Sequence, residues 1–179
     1  MTERKDKLTP SKIVFFDADK TLWQVFSKDP TQDDWASKGK TRTFTLMAEG
    51  VVVRTEDSTR FTLKNGVDET IHKLNKEGVI VGIISDNDYE DVEKVCQLLG
   101  IWQYFDQGFV NVRLWKGPAD KIQMISEVLD SNPQTQNSKV LLVDDSERYA
   151  SQMANSGHNF ILSPKDTFPK DIILGFFGI

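Results

Sequence analysis

Three short stretches of this 179-residue chain concentrate the side chains able to do chemistry. Asp17-Ala18-Asp19-Lys20-Thr21 follows the apolar run Ile13-Val14-Phe15-Phe16, Ser85-Asp86-Asn87-Asp88 follows the run 79–84, and Asp144-Asp145-Ser146 follows Val140-Leu141-Leu142-Val143. Acids at i and i+2 in extended backbone point to one side, which makes Asp17 and Asp19 a carboxylate pair. A lone Asp after a strand is ordinarily a helix cap or turn residue, and Ser85 or Asp144-Asp145 taken singly carries that plain reading. Together the clusters say more. If the preceding runs are parallel strands of one sheet, Asp17, Asp19, Asp144 and Asp145 meet at one edge, where ligands bind in open α/β sheets. Such charges repel. A divalent hard cation relieves the repulsion, and an all-oxygen ligand set suits Mg²⁺.

The elements that must position these residues are legible as patterns. The three apolar runs are continuous rather than alternating, as in strands buried on both faces; 109–112 and 160–162 are weaker strand candidates. Helical spacing aligns Val67, Ile71 and Leu74 over 67–76 before Gly78, and Val92, Val95 and Leu99 over 89–99 before Gly100. It also aligns Ile122, Ile125 and Leu129 over 121–129 before Asn132-Pro133, and a further helix over 148–155 precedes Gly157. Strands alternating with helices predict a three-layer, Rossmann-like α/β fold with a central parallel sheet and right-handed crossovers. The segment 24–42 breaks the alternation: it is polar and reads as a loop. Residues 44–49 and 51–55 then read as strands, and 51–63 as a β-hairpin turning at Glu56-Asp57-Ser58. This is a small insertion after the first strand, so 1–179 is expected to be one domain with 24–63 as a minimal cap or flap.

Composition excludes several classes of function. With 22 basic and 27 acidic residues the net charge is −5, a poor match to non-specific nucleic-acid binding. One cysteine, Cys96, rules out an internal disulfide framework and a cysteine-based zinc cluster. Apolar runs fall far short of the ~20 residues needed to cross a bilayer, and the polar N-terminus lacks a signal-peptide core; a cytoplasmic protein with no membrane partner is expected. The apolar stretch 172–179 is expected to pack on the core or on a partner subunit. His72 and His158 read as surface and loop residues, Cys96 as core, and Trp23, Trp35, Trp102 and Trp115 chiefly as packing residues, with Trp23 and Trp35 placed to flank a pocket.

The segment Ile13-Val14-Phe15-Phe16-Asp17-Ala18-Asp19-Lys20-Thr21-Leu22-Trp23 resembles the D-x-D-x-T motif of the haloacid dehalogenase superfamily of phosphatases. Ser85 closing an apolar strand is similar to the second motif, a lysine opening the helix after Pro118 to the third, and Val143-Asp144-Asp145 to the fourth. "DKTLW" and "VDDSER" look most like the magnesium-dependent phosphatase family within that superfamily. The resemblance implies a haloacid-dehalogenase-like fold and a phosphomonoester hydrolase. Asp17 would be the nucleophile forming an aspartyl-phosphate, and Asp19 the general acid and then base. Mg²⁺ would be held by Asp17, the Asp19 backbone carbonyl and Asp145, with Asp144 bound directly or through water. Ser85 would hydrogen-bond the phosphoryl group, with Asp86 and Asn87 beside it. A lysine would neutralise phosphoryl charge. Lys121 opens a helix and is favoured over Lys116 on that ground, with Lys116 still open.

Lys20 departs from the apolar or aromatic residue expected between Asp19 and Thr21, which bears on substrate rather than on reaction. A small insertion implies an open site, able to take a phosphorylated small molecule such as a sugar phosphate, or a phosphoprotein side chain such as phosphotyrosine. A homodimer that closes the site is one further reading. The alternative functions are a phosphorylation-receiving module and a catalytically silent binding module on the same fold. Receiving modules place the acidic pair on the first strand and the acceptor on the third, which does not match Asp17 and the Asp144-Asp145 pair.

Overall fold

The computed structural model describes residues 12–27, 42–114, 120–135 and 138–179. The first apolar run forms β1 (Lys12–Phe16), which pairs in parallel with β6 (Ile80–Ser85) on one side and β8 (Lys139–Asp144) on the other. The two weaker candidates are the outer strands, β7 (Val110–Val112) and β9 (Asn159–Leu162). The resulting five-stranded parallel sheet has the order β7-β6-β1-β8-β9.

Alternation along the central strands sorts their side chains onto two faces, as a period of two requires. Val14 and Phe16, Val81 and Ile83, Leu141 and Val143 pack in one apolar cluster with α1 (Val67–Lys76), α2 (Tyr89–Leu98) and α5 (Lys170–Phe177). Ile13 and Phe15, Ile84, Val140 and Leu142 pack in the other with α3 (Lys121–Asp130) and α4 (Ala150–Asn155). Helices therefore cover both faces of the sheet, the three-layer α/β arrangement the patterns predict. The apolar C-terminal stretch is α5: Ile173, Leu174 and Phe177 join the core, and Lys170 bonds Glu69 of α1 at 2.6 Å. No helix among the described residues is long and apolar enough to cross a membrane.

The described part of the insertion holds strands beyond the hairpin. β2 (Trp23–Phe26), β3 (Phe44–Leu46), β4 (Val51–Arg54) and β5 (Arg60–Leu63) form an antiparallel sheet of order β2-β5-β4-β3. The β4–β5 hairpin is as expected, but residues 24–26 belong to a strand where the polar sequence reads as loop. Trp23 is 1% exposed and pairs with Leu63, and Trp23, Val25 and Phe26 are themselves strand-favouring residues that the polar sequence after them masks. Trp23, Phe44, Val52 and Phe61 share the cluster built on α1 and α2, and Arg42 pairs with Asp91 of α2.

Two positions show what the packing demands. Gly82, in β6, has the Phe109 carbonyl and the Phe15 ring where a Cβ would stand, the ring at 2.7 Å. Gly82→Ala is expected to cost about 2–3 kcal/mol and lower Tm by roughly 5–10 °C in thermal unfolding. In the β4–β5 turn, Asp57 accepts from Arg54 Nε at 3.0 Å and Nη2 at 2.5 Å, and from the Thr59 amide at 2.9 Å. Burial opposes its charge, but these donors outweigh it and hold the carboxyl at about 2, below the usual range. A depressed carboxylate contributes stability above its unfolded pKa of about 3.9 that is lost as pH falls toward about 2. Asp57→Asn is expected to cost about 1 kcal/mol at neutral pH, reduced by solvent screening, with the difference from wild type vanishing in denaturant melts taken toward pH 2.

Candidate active site

Parallel register brings the three polar clusters to one sheet edge. Phe16 pairs with Val143, and the Asp17 amide donates to the Val143 carbonyl at 2.9 Å, so Asp17 and Asp144 emerge from adjacent strands side by side. Ser85, 2% exposed, ends β6 on the other side of β1. Asp17, Asp144 and Asp145 each present an oxygen, all within 4.8 Å of one another. At that separation each like-charge pair costs about 3 kcal/mol at an effective dielectric of about 20.

Lys121 is the cation that answers this repulsion. It opens α3, whose N-cap Asp120 accepts from the Gln123 amide, and its ammonium lies 2.7 Å from Asp17 Oδ1 and 2.5 Å from Asp144 Oδ2. Burial opposes the lysine's charge, but Asp17 and Asp144 outweigh it and hold its pKa above the ordinary value. The Tyr149 ring lies 5.1 Å from the same ammonium, a cation–π contact. Lys116, the other lysine considered for this place, lies outside the described residues, as do Trp35 and Trp115.

The remaining site residues fall into distinct settings. Asp144 is fully buried, with Oδ2 taken by Lys121 and Oδ1 accepting from the Ser146 amide at 2.8 Å. Burial and then the Asp17 charge raise the Asp144 pKa, and the same two causes raise that of half-buried Asp145. Asp19 stands outside the three-acid cluster. Its two oxygens accept from Trp23 Nε1 and Asn87 Nδ2, each at 2.7 Å, while the Asn87 side-chain oxygen accepts from the Asp88 amide. Asn87 is thereby joined to the site, half-buried Asp86 lies between it and Ser85, and Asp88 caps α2. Thr21 Oγ1 faces Asp17 Oδ2 at 3.4 Å, and a tight turn returns the Leu22 amide to the Ala18 carbonyl at 2.9 Å. Lys20 in that turn has φ of 61°, left-handed backbone that disfavours a side chain by about 1–2 kcal/mol.

Two contributors carry no signal in the sequence. Lys64, 4% exposed at the end of β5, bonds the Pro164 carbonyl at 2.7 Å and Ser163 Oγ at 3.1 Å. Burial lowers its pKa, against which Asp145, Asp166 and Asp17 act. The other is Tyr149, just before α4, whose ring faces the Lys121 ammonium. Trp23 packs in the core, as expected, yet also fixes Asp19. Cys96 is fully buried among apolar side chains, which pushes its thiol pKa up; His72 is exposed and His158 half-buried.

A family model described as haloacid dehalogenase-like hydrolase matches residues 16–162, most of the chain and all the clusters described above. The chain belongs to that family. A search among curated proteins gives no match. Solved structures similar to this chain include a candidate phosphatase of Clostridium difficile, at 16% identity and TM-score 0.59, covering 92% of this chain and 91% of that one. A haloacid dehalogenase-like hydrolase of Streptococcus pneumoniae matches at 12% identity and TM-score 0.55, covering 93% and 90%. A protein of Listeria monocytogenes serotype 4b matches at 18% identity and TM-score 0.56, covering 88% and 82%. At such identities the likeness is one of fold.

The donor set fits a hard divalent cation: three carboxylates are crowded around one ammonium, leaving a formal excess of two negative charges, and two of the acids already resist ionisation. With Mg²⁺ about 100-fold above its Kd, the folded state is expected to gain about 2.7 kcal/mol, a Tm rise of roughly 5–10 °C. Asp145→Asn is expected to raise the metal-free Tm slightly and remove most of the Mg²⁺ response. An undiminished response in thermal melts would exclude Asp145 as a ligand.

Proposed function

We propose that this hydrolase is a Mg²⁺-dependent phosphomonoesterase that works through an aspartyl-phosphate on Asp17, with 1–179 as one domain and 24–63 as its flap. The observation that carries this reading is the buried Lys121 ammonium shared by Asp17 and Asp144, beside Asp145 and at the strand edge that also bears Ser85. Asp17, the Asp19 backbone carbonyl and Asp145 would hold the ion. Asp144, with both oxygens already engaged, chiefly fixes Lys121. A bound Mg²⁺ shields the attacking carboxylate from the substrate's negative charge.

In the first half-reaction an Asp17 oxygen attacks phosphorus, the bond to the ester oxygen breaks, and Asp19 gives its proton to the leaving alkoxide. In the second, Asp19 takes a proton from water, which attacks the same phosphorus and releases phosphate and free Asp17. Trp23 and Asn87 keep the Asp19 carboxyl in one orientation through both steps. Lys121 balances the negative charge gathered on the transferring phosphoryl oxygens, and Ser85 donates a hydrogen bond to one of them.

Hydrolysis of 4-nitrophenyl phosphate tests the reading. Wild-type protein with Mg²⁺ is expected to turn over and to stop on addition of a chelator. Asp17→Asn is expected to lose at least about 10³-fold in kcat while retaining the wild-type circular dichroism spectrum. Near-normal turnover by that variant would overturn the nucleophile assignment.

A further inference from the structure

Beside the Asp19 turn lies a cleft that the acid–lysine centre does not use. Its lining is Lys20, Gln24, Val25 and Phe26 on one side and Lys165 and Asp166 on the other, around a cavity of about 90 Å³. The first wall continues from the Asp19 turn into β2; the second follows β9. Lys20 is one peptide unit from Asp19, about 3.8 Å between Cα atoms, so the cleft adjoins the turn that carries this acid.

We infer that this cleft is a leaving-group subsite for small phosphomonoesters that carry a second anionic group, a carboxylate or another phosphate, which Lys20 and Lys165 engage. The inference rests on the phosphatase reading above and deepens it. The cleft is partly open, so its charge rather than its volume sets the class. Val25 and the half-exposed Phe26 offer a carbon chain an apolar surface, and the two ammonium groups outnumber the single carboxylate of Asp166.

The second wall is preformed. The buried Lys64 ammonium holds Ser163 Oγ at 3.1 Å, the Pro164 carbonyl at 2.7 Å and the Thr167 carbonyl at 3.4 Å, bracketing Lys165 and Asp166. The Ser163 amide bonds the Asp144 carbonyl at 2.8 Å, so the wall is tied directly to the strand that bears the acids. A left-handed lysine in the Asp19 turn is locally unfavourable, and a role in engaging substrate gives it a use.

Matched substrates test this: ethyl phosphate, phosphoglycolate as the carboxylate arm and ethylene glycol bisphosphate as the phosphate arm, with 4-nitrophenyl phosphate as the measure of catalysis itself. For wild type with Mg²⁺, kcat/KM for at least one two-anion substrate is expected to exceed that for ethyl phosphate by about five- to tenfold, mostly through KM, as suits two exposed ion pairs. The arm that gains identifies the anion. In Lys165→Glu, and in Lys20→Asn, whose Asn tolerates left-handed backbone, that ratio is expected to fall to within about twofold of unity. A wild-type ratio near one with 4-nitrophenyl phosphate still hydrolysed would overturn the subsite and leave the phosphatase reading intact. A high ratio unmoved by both substitutions would overturn it equally. No turnover of any ester would sink both readings.

Discussion

A single buried ammonium, that of Lys121, reconciles the site with the fold. Carboxylates from two adjacent strands emerge side by side because the strands are parallel and in register, and a third follows one residue later. Without a cation between them the sheet edge would be a point of strain rather than of function. Lys121 reaches this point because it opens α3, on the face opposite α1 and α2, and Tyr149 covers its ammonium from the same side. Removing such a partner leaves uncompensated buried charge, which is far costlier than the pair's own contribution to stability.

The second sheet enters the chemistry through its ends. Trp23 starts β2, is buried in the core and donates from its indole to Asp19; Lys64 ends β5 and ties down the segment after β9. One small antiparallel element thus fixes both the Asp19 carboxylate and the segment that forms a wall of the cleft. This is how a short insertion can shape a site without a large covering domain.

The central sheet was legible because its strands are continuous apolar runs ending in Asp or Ser, and Lys121 was legible because a helical pattern starts with it. Most of what escaped was tertiary in origin. Residues 24–26, Gln-Val-Phe, form a strand paired with β5, and the polar sequence that follows them hid the apolar run Trp23 begins. Spacing set Asp17 and Asp19 side by side, but the indole and Asn87 draw the Asp19 carboxylate to partners of its own. Lys64 looks like any strand-end lysine; its burial depends on three oxygens about one hundred residues away in sequence. No local pattern encodes such a contact.

The lone thiol has a consequence of its own. Cys96 is sealed in the α2 side of the core, its ionisation suppressed by its surroundings, and it is the chain's single cysteine. Peroxide and disulfide reagents attack thiolates that solvent can reach. The described residues gathered at the sheet edge are carboxylates, a hydroxyl and an amine, so a thiol-directed oxidant has no target among them.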